Sequence, residues 1–177
     1  MKKLFSILFV VAIFAGISFG QGYQKGVNNL NIGIGFGDVV GGYGTQSLPP
    51  ISVGLQFGIE DKISVGGILG YSSSSEEWFY GKYKYTYIII GARGEYHFLE
   101  PSNNFDVYGG VTLGYNIVSS SWEANHGYSG YSATASGSDL FYGFHAGARY
   151  AFSPKFGAFA EVGYGLGIIN IGVNFKL

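Results

Sequence analysis

From about residue 26 onward, apolar side chains alternate with small or polar ones at a period of two. Residues 105–118 show this pattern most clearly. One parity there holds Phe105, Val107, Gly109, Val111, Leu113, Tyr115 and Ile117. The other parity holds Asp106, Tyr108, Gly110, Thr112, Gly114 and Asn116. Because successive side chains of a strand point to opposite faces, this period predicts β-strands with one apolar and one polar face.

The alternation and its interruptions divide the chain into strands. Eight are predicted, at residues 26–36, 51–60, 63–72, 83–98, 105–118, 140–152, 156–166 and 168–177. Their connections alternate in length: 38–50, 73–82 and 119–139 are long, whereas 61–62, 99–104 and 153–155 are short. Membrane β-barrels have this asymmetry, with short periplasmic turns and longer external loops. The fold class expected is all-β: an eight-stranded antiparallel up-and-down transmembrane β-barrel.

The N-terminus has the features of an export signal. Lys2 and Lys3 precede an apolar run at 4–17, and small residues follow at 18 and 20. This order predicts a cleavable signal peptide at residues 1–20 and a mature barrel at 21–177. The alternative is a retained membrane anchor, for which the apolar run is short, since a spanning helix needs about 20 residues.

Residues after position 20 contain no apolar run longer than Tyr87–Ile90. In a membrane, only a closed barrel then satisfies the backbone hydrogen bonds. Phe105 and Tyr115 share a face ten residues apart, which projects to roughly 25 Å at about 3.3 Å per residue and 40° of tilt, the height of the apolar band. The predicted periplasmic aromatic girdle is Phe57, Tyr96, Phe98, Phe105, Phe152, Phe156 and Phe175. The predicted outer girdle is Phe36, Tyr71, Tyr115, Phe144 and Tyr164.

The fourth predicted strand breaks the simple pattern. Its tyrosines at 83, 85 and 87 have odd parity, whereas Tyr96 and Phe98 indicate an outward even face. Two interpretations stay open. Either a β-bulge lies near residues 88–91, or the upper tyrosines point inward or stand above the membrane.

Composition narrows the class of protein further. Charged residues make up 12% of the chain, the net charge is −1, and no cysteine is present. The charge gives no electrostatic case for nucleic-acid binding, and without cysteine neither disulfides nor thiolate metal sites form. Glycine is abundant beside many tyrosines and phenylalanines. This combination suits strands crowded around a narrow interior rather than a disordered chain.

Four segments resemble a known family. They are Gly91–Phe98, Gly147–Pro154, Phe156–Gly165 and Asn170–Leu177. Together they are similar to the small outer-membrane β-barrel family that contains OmpX-like, Ail-like and opacity-type proteins. The resemblance implies a barrel of the bacterial outer membrane, inserted by the assembly machinery that recognises the last strand. Such families typically end in an aromatic residue; here the end is Leu177, with Phe175 one step of the alternation earlier.

The polar face carries most of the charge of the predicted barrel. Its members are Arg93, Glu95, His97, Asp106, His145, Arg149 and Glu161. An eight-stranded barrel is just wide enough for side chains to fill, and a buried charge without a partner is costly. We therefore expect a plug of ion pairs, with inward glycines making room for the long side chains. The alternatives are a proton or ion path, or a catalytic carboxylate with a histidine.

The sequence predicts no catalytic, cofactor-binding or metal-binding residues. The three histidines, His97, His126 and His145, lack the spacing of a metal motif. Outer-membrane enzymes that modify lipids use a Ser–His pair on the barrel exterior, and no serine and histidine are spaced in that way here. The protein is therefore expected not to be an enzyme.

Function is expected in the long connections, because binding residues concentrate in loops on rigid scaffolds. Residues 73–82 mix aromatic and charged side chains, and 119–139 carry Trp122, His126, Tyr128 and Tyr131 among serine and glycine. The expected role is structural, or contact with an extracellular ligand or host surface through 38–50, 73–82 and 119–139. The expected protein is a monomer in outer-membrane lipid, with both mature termini periplasmic. Alternatives are a small-solute channel, a lipid-modifying enzyme, or a secreted soluble barrel carrying a ligand.

Overall fold

The structure, a computed structural model, describes residues 24–37, 45–100, 104–124 and 133–177. Its strands are β1 (Asn28–Phe36), β2 (Thr45–Glu60), β3 (Ile63–Trp78), β4 (Gly81–His97), β5 (Phe105–Ala124), β6 (Thr134–Ala151), β7 (Phe156–Tyr164) and β8 (Ile169–Lys176). Each pairs antiparallel with the next, and β1 pairs with β8, so the sheet closes into a barrel. No helix in the described ranges has the length and apolarity to cross a bilayer. The predicted signal peptide, residues 1–20, lies outside the described residues.

The barrel is apolar outside and polar inside, as the alternation predicts. On the outward face of β5, Val111 and Leu113 are 59% and 60% exposed. On the inward face of β4, Arg93 and Glu95 are only 8% and 3% exposed. A soluble barrel has the reverse arrangement, because its apolar side chains must leave water. The hypothesis of a soluble ligand carrier with an apolar interior is therefore wrong.

Aromatic side chains ring the outward face near both ends of the barrel. At the end with the turns after β2, β4 and β6, Phe156 contacts both Phe152 and Phe175, with ring centroids 6.0 and 5.3 Å apart. At the opposite end Phe144 and Tyr164 pair across β6 and β7, with centroids 5.7 Å apart. These contacts place Phe152, Phe156 and Phe175 together near one end and Phe144 and Tyr164 together near the other, as interfacial aromatic belts require.

Strand β4 runs without a bulge. Its pairing with β3 and with β5 continues through residues 88–91 with no shift of register. Tyr87 and Ile89 are therefore on the inward face, where they are 2% and 1% exposed. The second interpretation of the tyrosine series is the correct one: Tyr87 points inward, and Tyr83 and Tyr85 follow the same face upward.

Several strands are longer than predicted, and the segments 73–82 and 119–139 are mostly strand rather than loop. Strands β3 and β4 continue to a two-residue turn at 79–80, while β5 reaches Ala124 and β6 begins at Thr134. Strand β2 also begins early, at Thr45, inside the predicted loop 38–50. It passes Pro49 and Pro50 where its register against β3 shifts, because proline cannot donate to the ladder and is accepted at bulges.

Strand β7, in contrast, is shorter than predicted. Strand β7 stops at Tyr164, not at residue 166, and the turn to β8 places Leu166 against Phe141 and Ile89. These three side chains form a small apolar cluster at the mouth of the barrel. Gly165 and Gly167 flank Leu166 with φ of 150° and 151°, a backbone region that glycine adopts readily. These apolar contacts consequently narrow the lumen at this end.

Candidate functional site

Arg93 is the centre of the charged interior. Its guanidinium lies 2.8 Å from a Glu95 oxygen on the same strand and 2.6 Å from Glu161 Oε1 on β7. Glu161 also accepts hydrogen bonds from Tyr108 Oη at 2.8 Å and from Asn170 Nδ2 at 3.3 Å. One cation thus joins two carboxylates across the lumen, as the predicted plug of ion pairs requires.

A second network lies nearer the end with the short turns. Ser64 Oγ is 3.0 Å from His97 Nε2, and His97 Nδ1 is 2.9 Å from Asp106 Oδ2. Arg149 donates to Asp106 at 3.1 Å, and its guanidinium lies 4.7 Å from the centre of the Tyr108 ring. Ser64 Oγ also lies 3.5 Å from Glu95 Oε2, so the two networks are joined.

The order Ser64, His97, Asp106 is that of a serine-hydrolase triad, in which histidine takes the serine proton and aspartate orients the ring. Both Ser64 and His97 are completely buried, at 0% exposure. A nucleophile must reach the carbon that it attacks, and no surface of Ser64 is open to a substrate. The arrangement therefore orients and neutralises polar groups within the plug.

Glycine provides the space that these long side chains occupy. A Cβ on Gly110 would lie 2.6 Å from His145 Cε1 and 2.5 Å from the Gly94 carbonyl oxygen. A Cβ on Gly147 would lie 2.8 Å from both the Glu161 side chain and the Tyr108 ring. These separations are below van der Waals contact, so the predicted role of the inward glycines is confirmed at both positions.

Three side chains meet as a metal site would require. Glu95, His145 and Glu161 each offer a ligand atom, and these atoms lie within 4.8 Å of one another. Arg93, however, pairs with a carboxylate oxygen of each glutamate, and Arg149 lies 3.9 Å from Glu95. Two guanidiniums repel a divalent cation, so this donor set fits the arginine pairs and not a metal.

The remaining space in the lumen is divided. One cavity of about 40 Å³ lies beside His145, Arg93 and Glu161, and another of about 30 Å³ lies beside Asp106 and Arg149. A water molecule needs about 10–15 Å³ measured in this way, so each cavity holds only a few waters. Arg93 and Glu161 both line the first cavity, so their ion pair crosses the lumen there.

Beyond the barrel wall, strands β3 to β6 form a sheet that we call the extension, residues 73–86, 119–124 and 134–139. It stands free on one side because β6 pairs with β7 only from Phe144 onward. Glu76 of β3 pairs with Tyr83 of β4, which pairs with Trp122 of β5, so these three side chains form one row. The rings of Tyr83 and Trp122 are in contact, with centroids 4.5 Å apart.

The two faces of the extension differ in chemistry. The face continuous with the barrel interior, which we call the inner face, carries the row of Glu76, Tyr83 and Trp122. The opposite face carries two exposed ion pairs, Lys82–Glu77 at 3.2 Å and Lys84–Glu123 at 2.7 Å. At the tip, Phe79 is 83% exposed. Aromatic groups beside small hydroxyl residues are typical of binding surfaces.

Sequence reasoning found some of these residues and missed others. The inward position of Arg93, Glu95, His97, Asp106, His145, Arg149 and Glu161 is confirmed by their contacts. Ser64 was not expected to join them, although its parity in β3 would have indicated an inward side chain. The expected binding residues His126, Tyr128 and Tyr131 lie outside the described residues.

No protein-family model matches the chain, and no curated protein matches it in sequence. Among solved structures, the N-terminal β-barrel domain of Pseudomonas aeruginosa OprF matches with 16% identity and a TM-score of 0.54, over 87% of this chain and 98% of that one. Ail, the attachment invasion locus protein of Yersinia pestis, matches with 15% identity and a TM-score of 0.52, over 86% of this chain and 96% of that one.

Ail in complex with the heparin analogue sucrose octasulfate matches with 16% identity and a TM-score of 0.53, over 86% of this chain and 96% of that one. Likenesses at this level of identity concern the fold. The expected resemblance to small outer-membrane barrels is confirmed as a likeness of fold, and the chain is an eight-stranded transmembrane β-barrel.

Proposed function

We propose that the chain is an integral protein of the bacterial outer membrane that presents the extension for contact with ligands or other surfaces, without catalysis. Residues 1–20 act as a cleaved signal peptide, and residues 21–177 form a monomeric barrel. The barrel is oriented with the extension outside the cell and both mature termini in the periplasm.

The distribution of polarity supports the membrane location most directly. Ile32, Val53 and Leu69 are between 44% and 51% exposed on the outer wall, an arrangement that only a lipid environment stabilises. Charged side chains are enclosed in the lumen, where they pair. A role in surface contact is supported by the exposed aromatic tip at 78–80 and by the fold shared with Ail, whose crystal structure contains a heparin analogue.

The alternatives have less support. A steady channel for solutes is disfavoured, because the ion pair of Arg93 with Glu161 crosses the lumen and the two cavities beside the charged groups have volumes of only about 40 and 30 Å³. A lipid-modifying enzyme needs a Ser–His pair on the lipid-facing wall. The two histidines in the described ranges, His97 and His145, instead contact Asp106 and Glu95 inside the barrel.

The location is tested with the whole chain in a Gram-negative host. The expected result is an outer-membrane protein that migrates faster on gels before heating than after it, and whose extension is cut by protease added to intact cells. A chain recovered in the soluble fraction, or an extension cut only from the periplasmic side, would contradict the proposal.

The contact role is tested by shortening one hairpin. Ser75 and Lys84 pair across β3 and β4, so residues 76–83 can be replaced by Asn-Gly, a sequence that favours a two-residue hairpin turn. Cells with the full extension should adhere to host-cell or matrix surfaces more strongly than cells with the shortened one at equal barrel abundance. Equal adhesion would contradict the role of the extension.

A further inference from the structure

We infer that the inner face of the extension binds an extended basic peptide segment, through cation–π contacts with Tyr83 and Trp122 and ionic contacts with Glu76 and Asp139. This inference rests on the proposed function, because it names the partner of the same surface.

The end of the barrel that carries the extension is acidic. The described strands at that end contain four carboxylates, Glu76, Glu77, Glu123 and Asp139, and two lysines, Lys82 and Lys84. The undescribed stretches 38–44 and 125–132 contain no lysine or arginine. The surface offered to a partner is therefore acidic, and a cationic partner is electrostatically complementary to it.

The two faces divide this charge unequally. Both lysines lie on the outward face of the extension, where Lys82 pairs with Glu77 and Lys84 pairs with Glu123. Glu76 has its register partner Tyr83 beside it and, within the described ranges, has no ion pair. Asp139, exposed on the inward parity of β6, likewise has none there. The negative charge available to a ligand is thus concentrated on the inner face.

The aromatic side chains of the inner face form a surface that attracts cationic groups. Tyr83 is 39% exposed, its ring lies 4.5 Å from that of Trp122, and Tyr85 stacks below it with centroids 6.2 Å apart. Side chains directly opposite on paired strands have Cβ atoms about 4.5–5.5 Å apart, so the Glu76 carboxylate reaches the edge of this row. An aromatic face beside a carboxylate attracts guanidinium and ammonium groups.

The spacing of the carboxylates favours a peptide over a single small cation. Asp139 pairs with Asn116, Asn116 with Ile89, and Ile89 with Gly70. Gly70 lies six residues below Glu76 on β3, or about 20 Å at roughly 3.3 Å per residue. Three strand spacings of about 4.8 Å separate the two carboxylates sideways. Because the two displacements are perpendicular, the carboxylates lie about 24 Å apart along the diagonal. This distance is about the span of seven residues of extended peptide.

The test uses the full barrel folded in zwitterionic lipid nanodiscs. The probe is an eight-residue peptide with arginine at both ends and glycine and serine between them, titrated by calorimetry at low and high salt. A peptide with neutral citrulline at both ends, a peptide with two adjacent arginines, and dextran sulfate serve as comparison ligands. We expect the spaced arginine peptide to bind most tightly, with binding weakened by salt, and dextran sulfate not to bind.

Adjacent residues supply a matched pair of variants. Glu76→Gln should weaken binding roughly two- to fivefold, whereas Glu77→Gln, on the other face, should leave it within about twofold. Tyr83→Ala should weaken binding roughly threefold or more, and Tyr83→Phe should retain it, because the π face is kept. All these positions lie outside the lipid-facing wall, and gel migration before and after heating verifies folding of each variant.

The inference is overturned if the two glutamate variants have equal effects, if the citrulline peptide binds as tightly as the arginine peptide, or if dextran sulfate binds better than either. Its failure is distinct from that of the proposed function. Adhesion that depends on the extension but is insensitive to Glu76→Gln would retain the surface role and reject the basic partner. Peptide binding without any adhesion would retain the basic partner and reject the surface role.

Discussion

Arg93→Met removes the central cation of the plug without changing the strand. Arg93 contacts Glu95 at 2.8 Å and Glu161 at 2.6 Å, and its loss leaves two buried carboxylates facing each other. Breaking a buried pair by removing one partner costs about 3–5 kcal/mol. Glu161 keeps its bonds from Tyr108 and Asn170. We therefore expect the lower end of that range, about 3 kcal/mol of unfolding free energy.

The stability of a double variant tests whether charge balance is the cause of this loss. Among the residues that the structure describes, the lumen buries two arginines and three carboxylates, a net charge of −1 when both histidines are neutral. Arg93→Met lowers this to −2, and adding Glu161→Gln restores −1. The double variant should thus be more stable than Arg93→Met alone, with a coupling energy of about 2 kcal/mol. As a control, Lys84→Met breaks an equally short but exposed pair and should cost less than about 1 kcal/mol.

The assay is urea unfolding in phospholipid vesicles, followed by far-ultraviolet circular dichroism and by gel migration. Tryptophan fluorescence is unsuitable, because Trp78 and Trp122 both lie in the extension and report on it rather than on the lumen. A cost below about 1 kcal/mol for Arg93→Met, or a double variant no more stable than the single one, would refute the reasoning that the plug is a charge-balanced network.

Three further outcomes are expected. Gly110→Ala should impair folding, because the new Cβ would collide with His145 and with the Gly94 carbonyl. Gly94→Ala should fold normally, because nothing lies within 4 Å of its Cβ. The folded fraction of each variant is measured on unheated gels. The hydrogen bond to Glu100 and its negative charge raise the pKa of Lys62 above 10.5, so this turn contact is complete below pH 10.5 and is lost as pH rises through the higher folded value. The stability difference between wild type and Lys62→Met should then vanish at strongly alkaline pH, and a constant difference would contradict it. Planar-bilayer recordings of the folded barrel should show no large, steady current steps, and their appearance would refute the closed lumen.

The barrel class follows from the sequence because strand geometry is local. A period of two assigns each side chain to a face from its parity alone, and this was sufficient to place Arg93 and Glu95 inside and Val111 outside. The parity also extends upward through β4, where the ambiguous tyrosines belong to the inward series. Periodicity does not show where pairing stops, and the extension was predicted as loops for that reason. Serine-rich, glycine-rich segments have low strand propensity, yet residues 119–121 are strand because partners on both sides satisfy their backbone.

The amino-acid sequence by itself determined which side chains are enclosed, since enclosure depends only on alternation and on the requirement that lipid-facing groups be apolar. Only the tertiary structure decided which of them meet. Arg93 pairs with Glu161, 68 residues away. Ser64, His97 and Asp106 meet because the register of three strands makes them diagonal neighbours, each two residues from the position directly opposite. The same register sets Glu76 beside Tyr83 and Trp122 on one face of the extension while Glu77 lies on the other. Pairing across strands is a long-range property of the closed sheet, and alternation along one strand does not contain it.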